Sequence, residues 1–167
     1  MDLTETVARR LEVREYADEP VPDDAVRAVA EAARLAPSSK NRQHWHFLVV
    51  DGDALEDLAS ISTTGKWVAD AAFAVVVLTG DYPSHGVDVG RAVSHMQFEA
   101  WDRGIGSCIY TGVDPSALRE RFDVPTDLLV GAVVGFGYPE GSGRGRKRRK
   151  PRDEVVSKNR FGDPLAE

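Results

Sequence analysis

The sequence predicts an α+β fold, a sheet wrapped by helices. Three observations carry that reading. Apolar spacing runs in the order helix, helix, strand, helix, strand, helix, strand, helix, strand. Residues 72–78, Ala-Phe-Ala-Val-Val-Val-Leu, make an unbroken apolar run of strand length, as a central strand buried on both faces requires. Val89, Ala92, Val93, Met96 and Ala100 recur at helical spacing in the longest amphipathic pattern, about 87–103. At 167 residues the chain has room for one domain with a real core, and residues 140–167 read as its basic linker and tail.

Each element has a local cause. Residues 2–12 form the first helix, with Asp2 and Glu5 in capping-box spacing and Leu3, Val7 and Leu11 on one face. Arg9 and Arg10 sit in its last turn, where cations suit the helix dipole. Glu19-Pro20-Val21-Pro22 is an extended connector. The second helix, 23–36, is expected to bury Val26, Val29, Ala30, Ala33, Leu35 and Ala36, and it stops at Pro37. Ser38, Ser39 and Asn41 then make a compact polar loop that feeds the strand 45–50, a rigid setting of the kind that holds ligands. A turn at Asp51-Gly52-Asp53 leads to a short helix, 53–61, and a polar loop, 62–67.

Gly104 stops the long helix. Cys108-Ile109-Tyr110 is a short strand pattern that ends at Thr111-Gly112. Asp114-Pro115 starts a helix that runs to Phe122, and 128–136 reads as the last main strand. Glu140 to Gly145 is linker-like in composition and delivers Lys147-Arg148-Arg149-Lys150-Pro151.

Net charge is −6, but it is uneven. Residues 144–152 hold seven of the 21 basic residues and no acid, so the remaining 158 positions carry 14 basic against 27 acidic groups, or −13. A nucleic-acid protein is usually basic over a whole face, whereas one basic cluster on an acidic body fits a discrete anion site. Taken by itself, the run also reads as a solvated or nucleic-acid-binding tail. No apolar run reaches the roughly 18 residues a membrane helix needs. The N-terminus lacks a signal-peptide pattern, so the expected compartment is the cytoplasm.

Side-chain chemistry is sparse. There is no Gly-x-Ser-x-Gly elbow, P-loop or dinucleotide fingerprint. Cys108 is the one cysteine, without zinc spacing, and reads as a small buried apolar residue. His44 and His46 share a strand face with no third ligand near in sequence, so a metal site is not expected. A chain without its own catalytic set acts as an enzyme when a cofactor carries the reaction.

Ala36-Pro37-Ser38-Ser39-x-Asn41-x-Gln43-x-Trp45-x-Phe47, following Arg10 and Val13-Arg14-Glu15-Tyr16, resembles the nitroreductase family of flavoproteins. Asp88-x-Gly90-x-Ala92, Gly104-Ile105-Gly106-Ser107 and Gly137-Tyr138-Pro139 extend the resemblance along most of the chain. It implies a central, mostly antiparallel sheet wrapped by helices, and a homodimer that holds FMN at its interface. It also implies hydride transfer from NAD(P)H through the flavin to a small electron-poor acceptor, a nitroaromatic or a quinone, by a ping-pong route. The implied cofactor contacts are Arg10, Leu11, Glu12 and Arg14; Pro37, Ser38, Ser39 and Asn41; Ile109, Tyr110, Thr111 and Gly112; and Lys147 and Arg149. Among these, Arg10, Lys147 and Arg149 are expected on the phosphate, Arg14 beside the ring, and the 111–112 backbone at its N5 edge. Trp67 and Tyr110 are candidates to line an acceptor pocket, with core packing as the other reading. Glu12 departs from the family, which has serine there, and a carboxylate facing a phosphate would repel it. That departure motivates a second reading, a flavin or related-cofactor binding protein with little or no turnover.

Overall fold

The computed structural model describes residues 2–141 and 147–165. Helix α1 (Leu3–Arg9) opens on Asp2, whose carboxylate accepts the Glu5 N–H at 2.8 Å. It ends sooner than the apolar spacing suggests. Glu12 leaves the helical path to form a parallel bridge with Ser107, and the Val13 N–H donates to the Ser107 carbonyl at 2.9 Å. Pairing with a sheet edge satisfies the backbone there better than another helical turn exposed to solvent.

Helix α2 (Asp23–Arg34) is followed by a 3₁₀ turn at Ser39–Asn41 and strand β1 (Trp45–Asp51). Then come α3 (Ala54–Ser60), β2 (Phe73–Gly80), the long α4 (His85–Asp102), β3 (Gly106–Tyr110), α5 (Pro115–Phe122), β4 (Leu128–Gly137) and the short α6 (Arg152–Val155). Two features were not legible as elements in the sequence: the 3₁₀ turn Lys66–Asp70, read as loop, and α6 in the tail.

The four strands form one sheet in the order β1-β2-β4-β3, and every pairing is antiparallel. Strand β2 is central, and its residues 73–79 are all buried. Alternation sends Phe73, Val75 and Val77 to one face, where they pack with α2 and α4 through Val29, Ala92 and Met96. Ala74, Val76 and Leu78 face the other side, against Leu55, Leu58, Val68 and Leu118. Helices cover both faces, which is why β2 reads as continuously apolar.

Strand β3 is an edge strand; Glu12 and Val13 lie along it, and residues 15–17 pair with residues 138–140 after β4. Two paired glycines make the close approach possible. A Cβ at Gly106 would sit 2.8 Å from the Val13 Cβ, and one at Gly137 would sit 2.9 Å from the Tyr16 ring. Tyr16 is buried, its hydroxyl 2.7 Å from the Val13 carbonyl and 3.1 Å from that of Gly135. Burial pushes this phenol well above its ordinary range.

Candidate functional site

Helix α1 leaves its last carbonyls without intrahelical partners, as every helix does. Lys147 fills that need: its ammonium donates to the carbonyls of Val7 and Ala8, the latter at 3.2 Å. Arg10 occupies the C-cap of the same helix. Desolvation, then the like charges of Arg149 and Arg10, push the Lys147 ammonium below its ordinary value. Three cations from the two ends of the chain therefore share one neighbourhood. The linker residues 142–146, which include two arginines of the basic run, lie outside the described residues.

Glu12 closes this cluster on its inner side. Its carboxylate accepts from Arg10 Nη1 at 2.6 Å and from the Ile109 N–H at 3.2 Å. The Gln97 side-chain amide lies 3.3 and 3.4 Å from the same two oxygens. The carboxylate thus faces an arginine, an edge-strand N–H and an amide. Three cations less one carboxylate leave an excess of two positive charges, which matches a phosphomonoester near −2. The donor set fits such a group.

The neighbouring predicted residues spread out from there. Leu11 is half-buried. Arg14 Nε lies 3.1 Å from the buried Cys108 sulfur, and burial pushes that thiol up. Arg14 also lines a cleft of about 460 Å³ with Glu15, Asp18, Asp70 and Glu140. On β3, the Ile109 side chain is 37% exposed, on the open edge of the sheet. Thr111 is exposed just beyond it. Gly112 is tied to the loop after α3 by the Thr63 N–H, which donates to its carbonyl at 2.7 Å.

Tyr110 and the partly buried Trp67 pack toward the core. The Tyr110 ring is buried, its hydroxyl is 2.9 Å from Ser62 Oγ, and its edge meets Trp67 at 5.4 Å between centroids. Trp67 packs over Gly135. Both belong to the core on that face of the sheet, where two large apolar rings gain most by leaving water. Tyr110 can offer a ligand only its backbone.

The Pro37–Asn41 loop is docked elsewhere. The buried carboxylate of Asp88, in the first turn of α4, accepts the Ser39 N–H at 2.9 and 3.0 Å and the Tyr82 hydroxyl at 2.8 Å. Burial opposes the charge, but the Ser39 N–H, the Tyr82 hydroxyl and the Arg91 cation at 3.6 Å outweigh it and hold Asp88 below the usual carboxylate range. Ser38 Oγ accepts the Gln43 N–H at 2.9 Å. Lys40, Asn41 and Gln43 all take positive φ, between 52° and 53°. Each such residue costs on the order of 1 kcal/mol, so the loop is held in shape rather than relaxed into it.

Asp88 and Gln97 lie nine positions apart on α4, which is about 14 Å of helix. The structure therefore brings Arg10, Glu12, Lys147, Arg149 and Ile109 together at one end of that helix and sets Pro37, Ser38, Ser39 and Asn41 at the other. Two residues outside the predicted contacts, Asp88 and Gln97, shape these groups. Gln97 carries a signal, because it falls four places after Val93 on the buried stripe, where a polar residue needs a partner. Asp88 opens the Asp88-x-Gly90-x-Ala92 pattern, but nothing in the sequence ties it to Ser39, 49 positions earlier. Among the described residues no group of His, Cys, Asp and Glu could hold a metal ion.

Comparison with known proteins adds an independent line. The nitroreductase family model matches residues 7–82 and 64–138. A relative from Archaeoglobus fulgidus, of the NADH dehydrogenase/NAD(P)H nitroreductase type, is 34% identical over 78% of this chain and 82% of its own length. Among solved structures, an FMN-dependent nitroreductase from Clostridium difficile has a TM-score of 0.85 at 25% identity, covering 95% of this chain and 100% of that one. A nitroreductase-type protein from Desulfovibrio desulfuricans, solved in complex with FMN, has a TM-score of 0.85 at 26% identity over 96% of this chain and 98% of that one.

Proposed function

The chain belongs to the nitroreductase family, and on that premise we propose that it is an FMN-dependent oxidoreductase. FMN held by the site residues would supply hydride chemistry, linking NAD(P)H to an electron-poor acceptor such as a nitroaromatic or a quinone in ping-pong order. The protein's part is to hold, orient and shield.

Arg10, Lys147 and Arg149 grip the phosphate as charge-assisted donors. Arg14, held at the buried Cys108 sulfur and not among the charges that act on Lys147, supplies positive charge toward the ring. The Ile109–Gly112 backbone presents the sheet edge. The Pro37–Asn41 loop, stiffened by Asp88, contributes a rigid polar wall. The observation that supports this reading best is the Lys147 ammonium seated on the last turn of α1 beside Arg10, because it joins the two sequence clusters assigned to one phosphate.

We read the protein as a single-domain homodimer with FMN at the interface. An apolar groove of about 710 Å³ between α1, α2 and α4, with Leu3 and Leu35 both more than half exposed, supports a second copy as its cover. Partners are then NAD(P)H and a small acceptor, not nucleic acid. No described helix is long and apolar enough to cross a membrane, and the expected setting is the cytoplasm.

The test is a visible absorption spectrum of the purified protein, with mass spectrometry of the released cofactor. A flavin spectrum that bleaches with NAD(P)H and recovers with a quinone supports the reading. A protein that carries flavin but never bleaches supports the second one, binding without turnover.

A further inference from the structure

Glu12, a carboxylate, is by charge alone a disturbance to a phosphate site. The structure gives it a different set of relations. Its carboxylate meets groups from three separate parts of the fold: Arg10 beyond α1 at 2.6 Å, the Ile109 N–H of β3 at 3.2 Å, and the amide of Gln97 on α4 at 3.3 and 3.4 Å. Gln97 is only 4% exposed, so its amide can satisfy itself at few other places. The Arg10 side chain is 22% exposed and that of Glu12 is 39% exposed, so the pair sits at the rim and not in free solvent.

We propose that Glu12 is a positioning residue, which fixes the Arg10 guanidinium relative to β3 and α4 so that it stands ready beside Lys147 and Arg149 to grip a phosphomonoester. A guanidinium has five donors in a planar fork. Glu12 takes one nitrogen, and the other donors remain for the anion. A long arginine held in one place loses less rotamer freedom when it binds, and the affinity gain comes from that prior ordering. The neighbouring carboxylate repels the phosphate to some degree. The proposal is that ordering outweighs repulsion, because the cations outnumber the carboxylate three to one.

The proposal rests on the reading of Arg10 as a phosphate ligand, and the experiment separates the two. Glu12→Asp keeps the charge and shortens the arm by one methylene, so it cannot span Arg10 and the Ile109 N–H together. Affinity is measured by flavin fluorescence for FMN and for riboflavin, which lacks the phosphate, in the parent, Glu12→Asp, Arg10→Ala and the double variant. The expected result is a loss of about tenfold for FMN in Glu12→Asp, unchanged riboflavin affinity, and no further loss when Glu12→Asp is added to Arg10→Ala. Equal losses for FMN and riboflavin show that Glu12 merely supports β3 and overturn the proposal. So does an unchanged or strengthened FMN affinity. If Arg10→Ala itself leaves FMN affinity intact, the phosphate reading fails and takes this one with it. Should Glu12→Asp not fold, Gln97→Leu removes the second anchor of the carboxylate. It must show the same FMN-selective loss, in smaller degree, or the proposal falls.

Discussion

The Lys147 ammonium donates to the Ala8 carbonyl at 3.2 Å, across a sequence separation of 139 residues. This contact closes the chain on itself at the last turn of α1 and sets the charge of the tail beside Arg10. Lys147→Met is therefore expected to lower FMN affinity by about tenfold, the scale of one charge-assisted bond. Thermal stability should hardly move, since an exposed contact contributes roughly 0–1 kcal/mol. Isothermal titration with FMN, beside a thermal melt without it, checks both halves. A large drop in melting temperature with unchanged affinity would mean the lysine only pins the tail.

Arg10→Ala removes the guanidinium that both Glu12 and the proposed phosphate use. Retention of flavin through gel filtration should fall markedly, with riboflavin affinity unchanged. Equal retention of FMN in variant and parent would show that the phosphate lies elsewhere.

Asp88 makes the loop's shape depend on pH, and the direction follows from its charge. Its folded value is held below the ordinary carboxylate range. The stabilisation is thus fully present above the unfolded value of about 3.9 and is lost as pH falls through the lower, folded one. The melting temperature of the parent should drop steeply below about pH 4, and Asp88→Asn should flatten that part of the curve. At neutral pH the same variant should cost roughly 1.5–3 kcal/mol, the scale of hydrogen bonds to a charged group. A parent and a variant with parallel pH curves would remove Asp88 from this role.

Much of the fold is legible in the sequence because one-dimensional spacing records burial. The run 72–78 is apolar at every position, and it lies at the centre of the sheet between two helical layers. Asp2 and Asp114 cap the helices they precede, as their spacing indicates. What sequence alone cannot carry is the direction in which a side chain turns. Glu12 looks like an obstacle to an anion until the Ile109 N–H and the Gln97 amide are seen beside it. Tyr110 sits in a segment expected to face a ligand, yet its ring turns inward to Ser62 and Trp67. The end of α1 differs from its apolar spacing for a related reason: periodicity continues through Leu11, but an edge strand 95 positions later competes for the backbone of Glu12.

Gly106 tests whether the N-terminal segment must lie hard against β3. A Cβ there would approach the Val13 Cβ to 2.8 Å, a contact that forces one of the two to move. Gly106→Ala should destabilise the fold by about 1–3 kcal/mol, as overpacking does. It should also loosen the adjoining Glu12–Ile109 contact and so weaken FMN binding beyond the loss of stability. Chemical denaturation with and without FMN separates the effects: a larger difference with the cofactor present is the expected outcome.

The groove between α1, α2 and α4 gives the last prediction. Leu35 is 61% exposed and Leu3 is 69% exposed, and both line it with Ala28, Ala32 and Phe98. A large apolar surface of this kind is expensive to leave in water. If a second copy covers it, Leu35→Glu places a charge in a dry interface beside Glu31, which lines the same groove, and like charges there disfavour association. Sedimentation equilibrium should then show a dimer for the parent and a monomer for the variant. Because the Pro37–Asn41 loop starts two residues after Leu35 and lies about 14 Å along α4 from the cation cluster of its own chain, the monomer should also retain FMN poorly. A variant that stays dimeric places the interface on another face. A monomer that keeps its flavin shows that one chain suffices to hold the cofactor.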